Sequence, residues 1–176
     1  MKKLLNSELN RLTPEEFRRV KKHPVTVVLD NVRSQHNIGS VFRTCDAFLI
    51  EILYLCGITA TPPHREINKT ALGATESVQW AYAEHTADVI RLLRQKGYRI
   101  IAVEQTEKSI PLHQYKCRPD ISYALVFGHE VNGVDQAIVD LCDESIEIPQ
   151  LGTKHSVNIA VSAGIVLWEF FRFFMK

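Results

Sequence analysis

The sequence contains no Cys-x-x-Cys pair and no His-x-x-x-His pair. It also has no apolar run long enough to cross a bilayer. Its four cysteines, Cys45, Cys56, Cys117 and Cys142, lie 11, 61 and 25 residues apart. That spacing excludes a zinc ribbon and a thioredoxin-type redox pair, and leaves buried or half-buried thiols in a reducing compartment. The longest apolar stretch, Ile159 to Trp168, is interrupted by Ser162 and stopped by Glu169; a membrane span needs ~20 residues. The first residues, Met-Lys-Lys-Leu-Leu-Asn-Ser-Glu, hold basic groups without an apolar core, so no signal peptide is expected. Cytoplasmic residence follows, with no membrane and no metal as partner. Glycine and proline are few, eight and seven of 176 residues, which excludes collagen-like and low-complexity chains.

What is present suits one folded domain. A chain of 176 residues buries roughly 70% of its unfolded surface and needs no staple. Net charge is +1, but it is unevenly spread. Residues 1–24 carry seven Lys/Arg against three Glu, a surplus of four, while the remainder is mildly acidic. A basic arm of this kind suits a polyanion such as RNA, and equally a solvated amphipathic helix.

Thr13-Pro14-Glu15-Glu16 reads as a helix start with a capping box, and Pro24 as the end of that helix. Val25–Leu29 is a β-branched run that predicts a buried strand. Ile38, Val41, Phe42 and Cys45 recur at helical spacing and predict a helix over 38–48. Further strands are expected at 52–56, 78–82, 99–104, 123–127 and 145–148. Helices are expected at 86–96, 135–141 and 157–175, with 57–77 irregular. Strands alternating with helices give an α/β fold with a mainly parallel sheet flanked by helices, whose ligands sit at the carboxyl ends of the strands.

Three polar constellations follow strands. The first, Asn37-Ile-Gly-Ser-Val-Phe-Arg43, opens the helix after the first strand. Its helix start can bind phosphate, with Arg43 under two turns on and on a similar side, or it is a capped helix with a surface arginine. The second is Phe127-Gly-His-Glu130-Val-Asn-Gly133. It is neither Gly-x-Gly-x-x-Gly nor a P-loop, so nicotinamide and ATP enzymes are disfavoured. Glu130 can hold an arginine or a ligand hydroxyl there, or the segment is an ordinary turn. The third runs from Ile148-Pro-Gln-Leu-Gly152 through Ser156-Val-Asn158, where Ser156 and Asn158 are both good helix caps.

In order, spacing and strand context these three segments resemble the SPOUT superfamily of RNA methyltransferases, specifically its TrmH-like ribose 2′-O branch. With Lys69-Thr-Ala-Leu-Gly-Ala between them, the resemblance covers about residues 25–174. It implies a domain over 25–176 with a C-terminal trefoil knot, preceded by the basic arm 1–24. It implies a homodimer whose active site is completed across the interface, and tRNA or rRNA as substrate. S-adenosylmethionine is the implied cofactor, held by Gly128, Ile148, Leu151, Gly152 and Val157; a β-carbon at Gly128 is expected to crowd it. Arg43 matches the arginine that engages the substrate phosphate or ribose. Asn37, Glu130, Ser156 and Asn158 match residues that orient that arginine and the hydroxyl. Two alternatives within this reading are a ring-nitrogen methyltransferase and an RNA-binding module without catalysis. The Asn37–Arg43 pair argues against the first, and the full residue set against the second.

Overall fold

The computed structural model describes residues 1–175; Lys176, the last residue of the expected domain, lies outside them. Seven strands form one sheet: β1 (His23–Asp30), β2 (Ile50–Cys56), β3 (Trp80–Ala83), β4 (Tyr98–Val103), β5 (Ile110–Pro111), β6 (Ser122–Phe127) and β7 (Glu144–Glu147). Their order is β3-β2-β1-β6-β4-β7-β5, and every pairing is parallel. Parallel pairs need crossovers, and helices supply most of them.

Alternation along β1 sets the layers. Val25, Val27 and Leu29 enter the core shared with α2 (Gln35–Ala47), α3 (Arg65–Ala71), α4 (Ala74–Ser77) and α7 (Ile159–Phe174). Val28 enters the opposite core, with Ile90 and Leu93 of α5 (Thr86–Gln95) and Ile138 of α6 (Gln136–Val139). Both faces of the central strands are covered, which explains their unbroken apolar runs. Asp30, buried at the end of β1, accepts hydrogen bonds from Thr86 Oγ1 at 2.5 Å and the Asp135 amide at 3.3 Å. One carboxylate thus ties α5 and the start of α6 to the central strand.

The expected elements recur with shifted bounds. The first helix, α1 (Pro14–Arg19), has the capping box between Thr13 and Glu16, but it ends at Arg19, and Pro24 lies inside β1. The helix expected at 38–48 begins at Gln35, because Ser34 rather than Asn37 caps it. Thr86 does not cap α5, since its hydroxyl is given to Asp30. Residues 57–77 are not irregular throughout: they contain α3 and α4. A β-carbon on Gly39 would lie 2.2 Å from the Ile67 carbonyl and 3.1 Å from the Ala71 amide. The glycine therefore lets α3 lie directly on α2, and packing rather than a periodic pattern makes that helix.

The arm is not detached. Phe17 of α1 is buried in the main core, and the Lys22 ammonium donates to the Phe17 carbonyl and sits 3.9 Å over its ring. Burial, only partly offset by Asp46, lowers the Lys22 pKa. All four cysteines are free, and burial pushes the Cys56 thiol up to about 12. Among the described residues no helix is long and apolar enough to cross a membrane, and no His/Cys/Asp/Glu group is arranged to hold a metal ion.

Candidate active site

A cleft of about 490 Å³ opens at the carboxyl ends of the adjacent strands β6, β4 and β7. Its apolar wall includes Val103, Phe127, Ile146, Ile148, Val157 and Ile159. Polar groups at its edge include Glu104, Glu130, Glu147, Ser156 and Asn158. The volume falls in the range of small-molecule sites, and a flat apolar wall beside a few acceptors is how such sites bind and orient a ligand.

The three polar segments meet beside this cleft. Glu130 Oε1 accepts from the Ser34 amide at 2.8 Å and from Asn37 Nδ2 at 3.1 Å; Oε2 accepts from the Arg33 amide at 3.1 Å. Asn37 Oδ1 in turn accepts from Asn158 Nδ2 at 3.2 Å. Asn158 Oδ1 caps α7 through the Ala160 amide at 2.9 Å. One chain of hydrogen bonds therefore joins the starts of α2 and α7 to the turn after β6. Burial opposes the charge on Glu130. The Ser34 and Arg33 amides, its own amide and the Asn37 side chain outweigh it and hold the carboxyl below its usual range. Among the described residues the partners of Glu130 are backbone amides and an asparagine.

The turn itself is tightly built. His129 and Gly133 exchange amide–carbonyl hydrogen bonds at 2.9 and 2.8 Å. Gly133 has φ +68, and a β-carbon there would lie 2.1 Å from Glu104 Oε2. A β-carbon on Gly128 would lie 2.1 Å from the Gly133 carbonyl carbon and the Val134 nitrogen. The turn itself therefore already demands glycine at position 128, whatever occupies the cleft beside it.

Of the five residues expected at the cofactor, Gly128, Ile148 and Val157 line the cleft. Leu151 and Gly152 do not. Leu151 is fully exposed, and a β-carbon on Gly152 would meet nothing within 4 Å. They occupy the outer arc of the loop between β7 and α7, whose two ends border the cleft while its tip faces solvent. Ser156 lines the cleft and is exposed, and its hydroxyl has no hydrogen-bond partner among the described residues.

Arg43 is apart from these groups. It is exposed on α2, does not line the cleft and has no ion pair among the described residues. At ~100° per residue, six positions turn it about 120° from Asn37, so the two are not on a similar side.

Two functional candidates escaped the sequence reading. Glu104 Oε2 accepts from the Val134 amide at 3.0 Å, and Gln105 Nε2 donates to the His155 carbonyl at 3.0 Å. Together they fasten the turn after β6 and the loop before α7 to the end of β4. Polar residues directly after a core strand were the available signal, but Glu-Gln matches no general motif.

Comparison with known proteins gives concordant matches. Residues 24–168 match the SpoU rRNA Methylase family. The chain is 31% identical over 171 residues to the tRNA (guanosine(18)-2′-O)-methyltransferase of Aquifex aeolicus, covering 94% of this chain and 76% of that protein. It is 32% identical over 146 residues to the 23S rRNA (guanosine-2′-O-)-methyltransferase RlmB of Neisseria meningitidis, covering 83% of this chain and 57% of that protein. Among solved structures, the A. aeolicus TrmH/SpoU tRNA modifying enzyme superposes with TM-score 0.78 at 27% identity over 90% of this chain and 79% of the other. An AdoMet-bound rRNA methyltransferase from Sinorhizobium meliloti superposes with TM-score 0.79 at 28% identity over 94% of this chain and 62% of the other.

Proposed function

The chain belongs to the SpoU rRNA methylase family, and from that premise we propose that it is an RNA methyltransferase acting on a ribose 2′-hydroxyl of tRNA or rRNA with S-adenosylmethionine. The observation that carries this reading is the hydrogen-bonded chain Glu130–Asn37–Asn158 at the edge of a ligand-sized cleft.

The cleft fits such a cofactor. Its apolar residues, Val103, Ile148 and Val157 among them, suit a flat adenine ring, and the carboxylates of Glu104 and Glu147 suit a cationic sulfonium. Gly128, Ile148 and Val157 would hold it. When bound, it supplies an electrophilic methyl group, so the protein's task is to position the nucleophile and help release its proton.

Glu130 is a weak base for that proton. Both its oxygens are occupied by N–H donors, and its carboxyl is held below the usual range. It acts as a positioning residue, fixing Asn37 and through it Asn158. Ser156 has a hydroxyl free to meet the substrate. The Arg43 guanidinium offers donors and no acceptor, so it does not take up the proton itself. Its role is to grip the phosphate next to the reacting ribose with its planar fork and lower the pKa of the hydroxyl.

The position of Arg43 outside its own cleft supports an active site completed by a second copy. Val161, Ile165 and Trp168 form an exposed apolar stripe on α7, beside the Phe48–Trp168–Phe171 aromatic cluster. Ile159, Ala163, Val166, Leu167 and Phe170 of the same helix are buried within the chain. A second apolar face of this kind marks a contact surface, and the partner it fits is another copy of this chain. Sedimentation at micromolar concentration should give a dimer; a monomer contradicts it.

The finer fold reading is a C-terminal trefoil knot over the domain 25–176. It is supported by the loop from β7 to α7 lying beside the segments that follow β4 and β6, and by α7 packing on α2. Residues 1–24 form the basic arm, and the cytoplasm is the compartment where the RNA resides. Maps of 2′-O-methyl groups on tRNA and rRNA from cells with and without the gene test the function. One ribose methyl should disappear; loss of a base methyl instead favours ring-nitrogen chemistry.

A further inference from the structure

Two basic surfaces compete for the RNA, and the structure separates them. The arm's helix α1 leads into the amino end of β1, whereas the cleft opens at the carboxyl ends of the strands. The eight residues of β1 span roughly 26 Å at ~3.3 Å each. Within one chain the arm is thus remote from the cleft, and Lys22 is already engaged with Phe17.

A second basic cluster adjoins the cleft. Arg33 gives its amide to Glu130 while its side chain is exposed. Three residues on, His36 Nε2 meets Glu66 Oε2 at 2.5 Å. Arg65 and Lys69 of α3 each lie 3.9 Å from the same carboxylate. Their side chains are 94% and 68% exposed, so these ion pairs are loose and screened. Three cationic or protonatable groups, His36, Arg65 and Lys69, therefore surround one carboxylate. Thr70 Oγ1 donates to the His36 carbonyl at 3.0 Å and locks α3 against the start of α2. Arg43 follows His36 by seven residues, two turns along and about 20° around, so it continues the same side of α2.

We propose that this rim, Arg33, His36, Arg65 and Lys69, is the surface that receives the RNA backbone and delivers the target ribose to the cleft. The proposal rests on the reading of the cleft as an RNA 2′-O-methyltransferase. The rim directly adjoins the Glu130–Asn37 hydrogen bond, its side chains are exposed, and its charge matches a run of phosphates. Glu66 sets the spacing of the cations and moderates their charge.

The test is equilibrium binding of the full chain to an unmodified tRNA transcript across a range of salt concentrations. Arg65→Glu with Lys69→Glu should weaken binding roughly tenfold near physiological salt, and flatten the log–log salt slope by about one per lost contact. Glu66→Gln should do the opposite, tightening binding a few-fold and steepening the slope; a merely structural role for Glu66 predicts no gain. Affinity for S-adenosylmethionine should be unchanged in both. Equal affinity and slope in wild type and the charge-reversed variant overturn the rim. Because the readout is binding, a wild-type chain that needs these side chains to hold RNA yet transfers no methyl overturns the reaction and keeps the rim.

Discussion

The turn after β6 and the loop before α7 face each other across one cleft and are built in opposite ways. Residues 128–134 are closed on themselves by two backbone hydrogen bonds and fastened by Glu104. The Glu130 carboxylate ties the same turn to the start of α2. A β-carbon on Gly128 would strike the Gly133 and Val134 backbone, and Gly133 holds a φ of +68. In the facing loop, residues 151–156 are all exposed; its side-chain ties are Gln105 to the His155 carbonyl and Asn158 to Asn37. Segments with exposed backbone and few partners open at low free energy, whereas multiply bonded ones do not. One wall is therefore preorganised and holds Asn37, and through it Asn158, in place, whereas the other has few ties.

Of the two walls, breaking the rigid one should have the larger effect. Glu130→Ala leaves the exposed Arg33 amide and the half-buried Ser34 amide without their charged acceptor, hydrogen bonds of a kind worth at most ~1.5–3 kcal/mol each. Methyl transfer should fall roughly hundredfold while cofactor affinity measured by calorimetry is kept. A parallel loss of cofactor affinity would show that Glu130 shapes the pocket rather than the asparagines.

Gly133→Val comes next. Its φ of +68 strains any side chain, and a β-carbon there would also displace the Glu104 carboxylate that holds the Val134 amide. Strain of ~1–3 kcal/mol should weaken cofactor binding roughly tenfold. Gly128→Val belongs to the same class, because its β-carbon would meet the Gly133 and Val134 backbone.

Loosening the pliant wall should do less. Gln105→Ala removes one neutral, exposed hydrogen bond worth ~0.5–1.5 kcal/mol. Cofactor affinity should drop about threefold, mostly through faster dissociation in stopped flow. An effect as large as that of Gly133→Val would mean that the two walls are equally rigid.

The smallest effect is a pH dependence. The folded pKa of Glu130 lies below the ordinary carboxyl value of 4.5, so the unfolded chain binds its proton more readily. Its contribution to stability is present above about 4.5 and is lost as pH falls through the lower folded value. The difference in urea midpoint between wild type and Glu130→Gln should therefore shrink on acidification below about 4.5. A difference that grows would reverse the sign assigned here.

The same contrast explains what the sequence could announce. β-branched runs and polar segments at strand ends located the sheet and the three constellations, because burial and chemistry each demand particular residue types. Partnerships across the fold left no local trace. Ser34 rather than Asn37 caps α2, since Asn37 is drawn into the Glu130–Asn158 bridge. α3 exists because Gly39 allows its backbone to approach, a contact 28 to 32 residues away in sequence. Leu151 and Gly152 belonged to the right segment, but their loop turns them to solvent. Glu104 and Gln105 gain meaning only when the turn and the loop they fasten are brought beside β4.

The most direct test is single-turnover transfer of labelled methyl to RNA by wild type and Arg43→Ala, followed by digestion to nucleosides. The account predicts label on the ribose 2′-oxygen with wild type, and near-background transfer by a folded variant that keeps its cofactor affinity; Arg43→Lys should behave like Arg43→Ala. Label on a base, or wild-type rate without the Arg43 guanidinium, would contradict it.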